Sequence, residues 1–428
     1  MSGTVPFPTD PDVVVVGAGA AGMAAARRLA EKGLSAVVVE AAGRVGGRAW
    51  TDHARLGVPV DMGCSWVSGS DRNSLVRIAR ARGFTLVDHT DAPEHLFVDG
   101  RPASEADWAA YDHAHRVIDK ALSKAGRKGR AAPAIGVIPG DLPFSGTAQS
   151  WIGAMDYGVD FKDLSPVDHW EQADDQPSYL VREGFGAIVA TLAEGLAIAL
   201  EAPVSGIDWQ GPGVAVETAR GTIRAKACLV TVSTGVLAAG AIRFTPALPA
   251  ATEEAIHALP MGMLVKVPLL FDGARFGFGE GDVVTYRVPD ETPARACYFV
   301  AWPCGHDYVF GNIGGDLGWA LSREGEAAVV DFALGELVAL VGSEARQRFV
   351  RGAMTGWASD PLTLGAYSTQ RPGRTGARKA LGRPLADRLF FAGEAVDPER
   401  AALANGAFDS GRRAAKAIAR ALKRAGAG

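Results

Sequence analysis

Residues 13–40 constrain the fold more than any other stretch. Val13-Val14-Val15-Val16 is short, wholly apolar and β-branched, the composition of a buried parallel strand. It runs into Gly17-Ala18-Gly19-Ala20-Ala21-Gly22. An alanine-rich segment over 20–31 then predicts a helix, closed by Lys32-Gly33. Ala36-Val37-Val38-Val39 predicts a second buried strand, and it ends at Glu40. In such a unit Gly17 permits a tight turn, Gly19 lets a pyrophosphate approach the backbone, and Gly22 lets helix and strand pack closely. The free N–H groups and dipole of the helix start, beside Ala21, suit phosphate charge. Glu40 follows Gly22 by about 18 residues, near the roughly 20 at which an acid accepts hydrogen bonds from ribose hydroxyls. A glycine triplet alone also fits an ordinary turn. Both strands, the helix and the terminal acid together point to a dinucleotide site.

With 428 residues the chain exceeds one simple core, so two domains or one discontinuous pair are expected. Its 48% hydrophobic and 21% charged residues have the balance of a globular protein. The net charge is −4, and no block of like charges is long enough for a nucleic-acid arm. Cys64, Cys228, Cys297 and Cys304 have neither CxxC nor Cys/His spacing, so no disulfide framework and no metal site are predicted. The first twelve residues carry no apolar signal-peptide core, and no stretch approaches the ~18 apolar residues of a membrane span. A cytoplasmic location is expected. The basic end of the last helix, Ala421-Leu422-Lys423-Arg424, suits a solvated surface rather than a membrane anchor.

Just past the acid comes Gly43-Arg44-Val45-Gly46-Gly47-Arg48. Alone it would pass for a surface loop. Placed here, its glycine pair and arginines can fold over the same pyrophosphate and neutralise it. Asp61-Met62-Gly63-Cys64-Ser65-Trp66-Val67-Ser68-Gly69 follows, then a predicted helix over 73–82. The chain here resembles the flavin-dependent amine oxidases, the family of monoamine oxidases, polyamine oxidases and lysine-specific histone demethylases. The resemblance rests on Gly46-Gly47-Arg48 followed by a Gly-x-x-Trp-x-x-Gly stretch. It implies that Gly63, Cys64, Ser65 and Trp66 run beside a flavin ring. Polyamine oxidases commonly carry Glu or His facing the substrate at the position of Ser68, so this chain departs from them there.

Residues 107–123 predict a helix with Trp108, Tyr111, Val117, Ile118 and Leu122 on a buried face, and 124–143 an exposed connection. Glu171, Asp174 and Asp175 form an acidic cluster, either a solvated loop or a mouth attracting cationic amines. Glu183-Gly184-Phe185-Gly186 opens a helix to about Leu196, and strands are predicted over 204–209, 214–218 and 229–232, with a turn at Gly221. The resemblance returns this region to the cofactor domain, with Val204 where the backbone meets adenine. Ser233 stands where the family usually writes proline.

Met263-Leu264-Val265-Lys266-Val267-Pro268-Leu269-Leu270 holds one lysine in an apolar run. An ammonium there either snorkels from an edge strand or has a reason to be buried. The resemblance implies the second, an active-site lysine linked through water to flavin N5. Strands over 282–287, 297–302 and 309–313 and a helix over 324–341 would build a substrate domain. Gly277–Gly281 and Gly311–Gly315 are not expected to open a helix after a buried strand. The absence of a second dinucleotide fingerprint favours an oxidase using oxygen over an enzyme fed by NAD(P)H.

Trp357-Ala358-Ser359-Asp360-Pro361 and Gly365-Ala366-Tyr367-Ser368 match the family's cavity-lining segment. By that match Ala366 replaces the cysteine that monoamine oxidases bond to flavin, implying non-covalent FAD. Tyr367 forms one wall of an aromatic cage whose other wall falls at Leu403. Residues 388–395 predict a strand ending in Gly393-Glu394, and Asn405-Gly406-Ala407 starts the last helix, its N-terminus aimed at the flavin pyrimidine. Glu394 is expected at the ribityl or pyrophosphate end.

The expected fold is α/β, a Rossmann-like FAD domain (1–88, 182–262 and 385–428) interleaved with a substrate domain of mixed sheet flanked by helices (89–181 and 263–384). The expected activity is oxidation of a primary amine or polyamine to an imine, hydrolysed to an aldehyde, with oxygen reduced to hydrogen peroxide. The partners expected are a small amine and oxygen, without nucleic acid or membrane, and a homodimer is one option for assembly. Four alternatives stay open. An L-amino acid oxidase would need a cavity arginine, such as Arg287 or Arg295. A flavin desaturase or porphyrinogen-type oxidase would not need Lys266. A chromatin demethylase would be expected to carry interaction modules beyond this chain. A flavoprotein scaffold would bind FAD without turnover.

Overall fold

The computed structural model describes residues 10–172, 176–290 and 295–426. Val13–Val16 is flat against its neighbours and 0–4% exposed, so each valine contributes roughly 1.5–3 kcal/mol of burial. It sits in the middle of a five-stranded parallel sheet in the order Ile198–Ala199, Ala36–Val39, Val13–Val16, Ala227–Val230, Leu389–Phe391. Both faces of the apolar strands are covered. Helices Ala20–Ala30 and Ala404–Ala425 pack together on one face, and a four-stranded sheet and helix Ala250–His257 share the core on the other.

A seven-stranded mixed sheet forms the second layer, in the order Phe349–Gly352, Leu264–Phe271, Tyr308–Gly314, Tyr298–Ala301, Val283–Tyr286, Glu94–Val98, Arg101–Pro102. Its pairings are antiparallel except where Val283–Tyr286 meets Glu94–Val98. Helices Gly315–Glu324 and Glu326–Val341 join one of its cores, and Glu105–Arg127 another. The α/β class with a mixed second sheet is therefore as expected.

Four local readings need correction. The helix expected over 324–341 is two helices, because Gly325 at φ 93° breaks the run. The helix expected over 107–123 runs Glu105–Arg127, started by a capping box at Ser104 and Asp107, so part of the expected connection is helical. A strand at Gly221–Ala225 replaces what looked like a turn alone. Gly311–Gly315 does lead from a buried strand, Tyr308–Gly314, straight into a helix. It is no phosphate cradle, however. A Cβ at Gly314 would lie 1.7 Å from the Ala154 carbonyl oxygen, and the Asp160 carboxylate already accepts from the Asp316 N–H. Asp174 and Asp175 lie outside the described residues. Ser233 caps Thr234–Ala238 by accepting from Val236 N–H. Among the described residues no helix is long and apolar enough to cross a membrane.

Candidate active site

The carboxyl ends of the parallel strands open into one cavity of about 640 Å³. Ligands of open α/β sheets bind in this place. The glycine turn fits a dinucleotide on three counts. Gly17 has φ 104°, and a Cβ there would lie 2.6 Å from Thr231 Oγ1. At Gly22 a Cβ would lie 1.9 Å from the Gly17 carbonyl oxygen, so that glycine serves helix–strand packing. At Gly19 a Cβ would meet nothing within 4 Å, so bare backbone faces the open cavity. Glu40 braces the turn: Oε2 accepts from Ala18 N–H at 2.7 Å and Oε1 from Ala42 N–H at 2.8 Å. Two of the four lone-pair positions of that carboxylate remain for a ligand.

Arg48 comes from the second glycine segment. Its Nη1 donates to Glu394 Oε1 and to the Ala366 carbonyl, both at 2.9 Å. Ser368 N–H (3.1 Å) also binds Glu394 Oε1, while Ser368 Oγ (2.6 Å) and Ala402 N–H (3.0 Å) bind Oε2. Burial alone would raise this carboxyl, but Arg48, the Ser368 hydroxyl and Arg378 together bring it below the usual range. With every acceptor position filled, the Glu394 side chain clamps Arg48 and the Ala402 turn around the cavity, and ligand contact there falls to neighbouring groups. Behind it Arg378 grips Asp168 through Nε at 3.0 Å and Nη2 at 2.9 Å, both side chains almost wholly buried.

At the other end lie Lys266, Tyr367, Trp357, Trp66, Ser68 and Leu403. Lys266 pairs with Asn312 on one side and its backbone exchanges hydrogen bonds with Thr355 on the other, so it has no edge from which to snorkel, and it is 4% exposed. Its Nζ donates to the carbonyls of Asp61 (2.9 Å) and Gly63 (2.6 Å) and to Ser65 Oγ. The ammonium also lies 4.9 Å from the Phe310 ring centre. Burial lowers it to about 8, opposed by the nearby Asp61 and Cys64. The Asp61 carboxylate accepts from Phe185 N–H at 2.8 Å and Gly186 N–H at 3.1 Å, which locks the chain beneath the lysine. Tyr367 donates from its hydroxyl to the Met155 carbonyl at 2.7 Å.

The cavity gathers Gly17, Gly19, Ala21, Glu40, Gly47, Arg48, Gly63, Cys64, Ser65, Val204, Gly393, Glu394 and Ala407 with these side chains. Gly22 and Gly406 stay outside its lining; a Cβ at Gly406 would lie 2.0 Å from the Arg400 carbonyl, so it too is a packing glycine. Neither Arg287 nor Arg295 reaches this cavity. Arg287 lies over the Phe144 ring at a separate hollow, and Arg295 is exposed. Sequence reasoning passed over Asp156, which also lines the cavity, and Asp168 with Arg378, whose pairing spans 210 residues.

A cavity lined by both the glycine turn and a buried lysine with aromatic walls fits a flavoprotein oxidoreductase. The comparisons agree. The model of the flavin containing amine oxidoreductases matches residues 20–128 and 153–419. Probable polyamine oxidase 4 of Arabidopsis thaliana is 30% identical over 440 residues, covering 94% of this chain and 85% of that protein. Polyamine oxidase 4 of rice, Oryza sativa subsp. japonica, is 28% identical over 433 residues, covering 94% and 87%. The solved structure of wild-type putrescine oxidase bound to putrescine superimposes with a TM-score of 0.80 at 21% identity, over 96% of this chain and 99% of that one. The chain belongs to the flavin-containing amine oxidoreductases.

Proposed function

We propose that this protein is an amine oxidase that binds FAD non-covalently and converts a primary amine, oxygen and water to an aldehyde, ammonia and hydrogen peroxide, or cleaves a polyamine in the corresponding way. The observation that supports this reading is that Lys266 and Tyr367 line the same cavity as the glycine turn. When bound, the flavin supplies the hydride acceptor at N5 and passes the electrons to oxygen.

The protein's part is grip, orientation and charge. Gly17, Gly19 and Ala21 would present the helix start to the pyrophosphate, Arg44 would help neutralise it beside the Arg48–Glu394 pair, and Glu40 would accept from the ribose hydroxyls. Val204 would serve the adenine end, and Ala407 at the start of the last helix the pyrimidine end. Gly63, Cys64, Ser65 and Trp66 would line the ring's place in the cavity. Tyr367, Leu403, Trp357 and Ser68 surround the neutral amine. Lys266 is a fixed positive charge whose three protons are committed to protein acceptors. The Ser65 hydroxyl, which accepts from it, keeps its own proton to hold a water in the cavity. Residues 1–88, 182–262 and 385–428 form the cofactor half in this reading, and 89–181 and 263–384 the substrate half.

Steady-state assay of peroxide and aldehyde with primary amines, polyamines and L-amino acids tests the reading. Equal amounts of peroxide and aldehyde from an amine are expected; peroxide from amino acids alone would overturn it. Acid precipitation checks the cofactor linkage. The yellow colour should leave with the supernatant, because Ala366 offers no sulfur; a yellow pellet contradicts that.

A further inference from the structure

We propose that His89 is a positioning residue for the reaction: in its neutral form it holds the Trp66 indole in the cavity wall beside Lys266, and its protonation releases that indole. The part it plays in turnover rests on the amine-oxidase reading above; its hold on Trp66 does not. Trp66 lines the cavity, its ring edge-to-face with Phe310 at 5.8 Å and 6.0 Å from the Lys266 ammonium. His89 is not among the lining residues, so it acts through Trp66.

One three-stranded sheet carries both residues. Trp66–Ser68 pairs with Ser178–Val181, which pairs with Leu86–Asp88. His89 follows that last strand and donates its backbone N–H to the Ser178 carbonyl at 2.9 Å. The Trp66 Nε1–H donates to His89 Nδ1 at 3.2 Å, and His89 Nε2 meets the Gly281 carbonyl at 2.7 Å. These partners leave one choice of tautomer. An indole nitrogen only donates and a carbonyl only accepts, so Nδ1 must be bare and Nε2 must carry the proton. Gly281, at φ 79°, permits the approach, since a Cβ there would lie 3.1 Å from His89 Cδ2. Its own N–H is bonded to the Ala301 carbonyl at 2.7 Å, which anchors the imidazole to the second sheet.

A proton on Nδ1 would set N–H against N–H and break the hold on Trp66. Burial disfavours the His89 cation and places its titration below the ordinary histidine range, opposed by the Gly281 carbonyl and by Asp88 and Asp282. Asp282 is already engaged by His95 Nε2 and the Gly279 N–H, and Asp88 by Thr90. Tyr179 pairs opposite Asp88 and lies under Arg80, Glu280 sits by Gly305, and Lys266 stands across Trp66. The Trp66–Ser68 strand adds no titratable side chain. The hold is therefore intact at neutral pH and lost on acidification.

Nuclear magnetic resonance of the flavin-loaded protein with ¹⁵N-tryptophan tests this directly, with Trp66→Phe to assign the indole signal. In the native protein the Trp66 indole N–H should lie downfield and move upfield as pH falls below the ordinary histidine range. His89→Gln, whose amide accepts from the indole and donates to Gly281 without titrating, should keep the downfield signal in acid. His89→Phe should lack it at every pH. The flavin absorbance band should shift over the same pH range in the native protein and not in His89→Gln. With an amine substrate, native kcat relative to that of His89→Gln should fall roughly 10-fold on acidification, a ratio that cancels the substrate's own protonation. His89→Phe should lose roughly 10-fold in kcat at neutral pH with flavin content retained; if it does not fold, the native and His89→Gln comparison decides. A Trp66 signal alike in native and His89→Phe, or a native signal and flavin band that track His89→Gln through the acid range, overturns the assignment. Turnover of no amine overturns the amine-oxidase reading instead, and the signal and the flavin band then decide for or against His89.

Discussion

The two ends of the cavity are built in opposite ways. At the glycine turn the groups that face the ligand are backbone, held by neighbours close in sequence: Gly17 beside Gly22, and Ala18 beside Glu40 and Gly46. Glu40 is pinned there by two backbone N–H groups, and Glu394, which joins Arg48 to Ser368 and Ala402, is saturated by four hydrogen bonds. At the Tyr367 end the walls are side chains from separate segments, and Asp156 has no partner among the described residues. A saturated region is preorganised for one fixed ligand.

Substitutions can break this contrast, and the largest effect is expected at the glycine turn. Gly22→Val would drive a side chain into the Gly17 carbonyl and should leave protein without retained flavin, measured as the ratio of flavin to protein absorbance. Gly19→Ala meets open space. It should keep the melting temperature of the flavin-free protein while weakening flavin binding, which separates packing from ligand contact. Equal flavin retention in both variants would remove the distinction.

Next comes the Glu394 clamp. Glu394→Ala strands Arg48 and the Ser368 and Ala402 donors, for a loss of about 3–5 kcal/mol in denaturant unfolding. The pH signature follows from the sign of the shift. A carboxyl held below its ordinary value contributes stability above about pH 4.5, and that contribution is lost as pH falls through its lowered value. The variant should lack that acid limb.

Lys266→Met should slow reoxidation of the reduced flavin by oxygen roughly 100-fold with flavin content retained, read by stopped-flow absorbance. In the native protein the lysine is cationic below about 8. Reoxidation should therefore be fast below that pH and fall as pH rises through it, and the variant should be flat. The smallest effect is at Asn73, which caps Ser74–Ala81 by accepting from Leu75 N–H at 2.8 Å and holds the Ser68 carbonyl through Nδ2. Asn73→Ala should cost about 1 kcal/mol in thermal unfolding, with KM affected more than flavin binding.

The same contrast explains what could be read in the sequence. The Val13–Val16 strand, its turn and Glu40 are local, and strand, glycine spacing and terminal acid each have one physical requirement. Lys266 stood out because an ammonium in an apolar run needs a reason. The strands that pair with its own follow later in the chain, its three acceptors come from residues about 200 positions earlier, and no periodicity announces either. Asp156 left no signal because a single acid after an apolar stretch also fits a surface turn. The π-helical turn Ser150–Met155 that aims it inward depends on tertiary packing. Gly325 was passed over because apolar periodicity continues across it, although its positive φ ends one helix and starts another.

Anaerobic titration of the flavin-loaded protein with amines tests the central claim most directly. A primary amine or polyamine should bleach the yellow absorbance, and admitting oxygen should restore it with one hydrogen peroxide per flavin. Bleaching by amino acids alone, or by none of these compounds, would contradict the account.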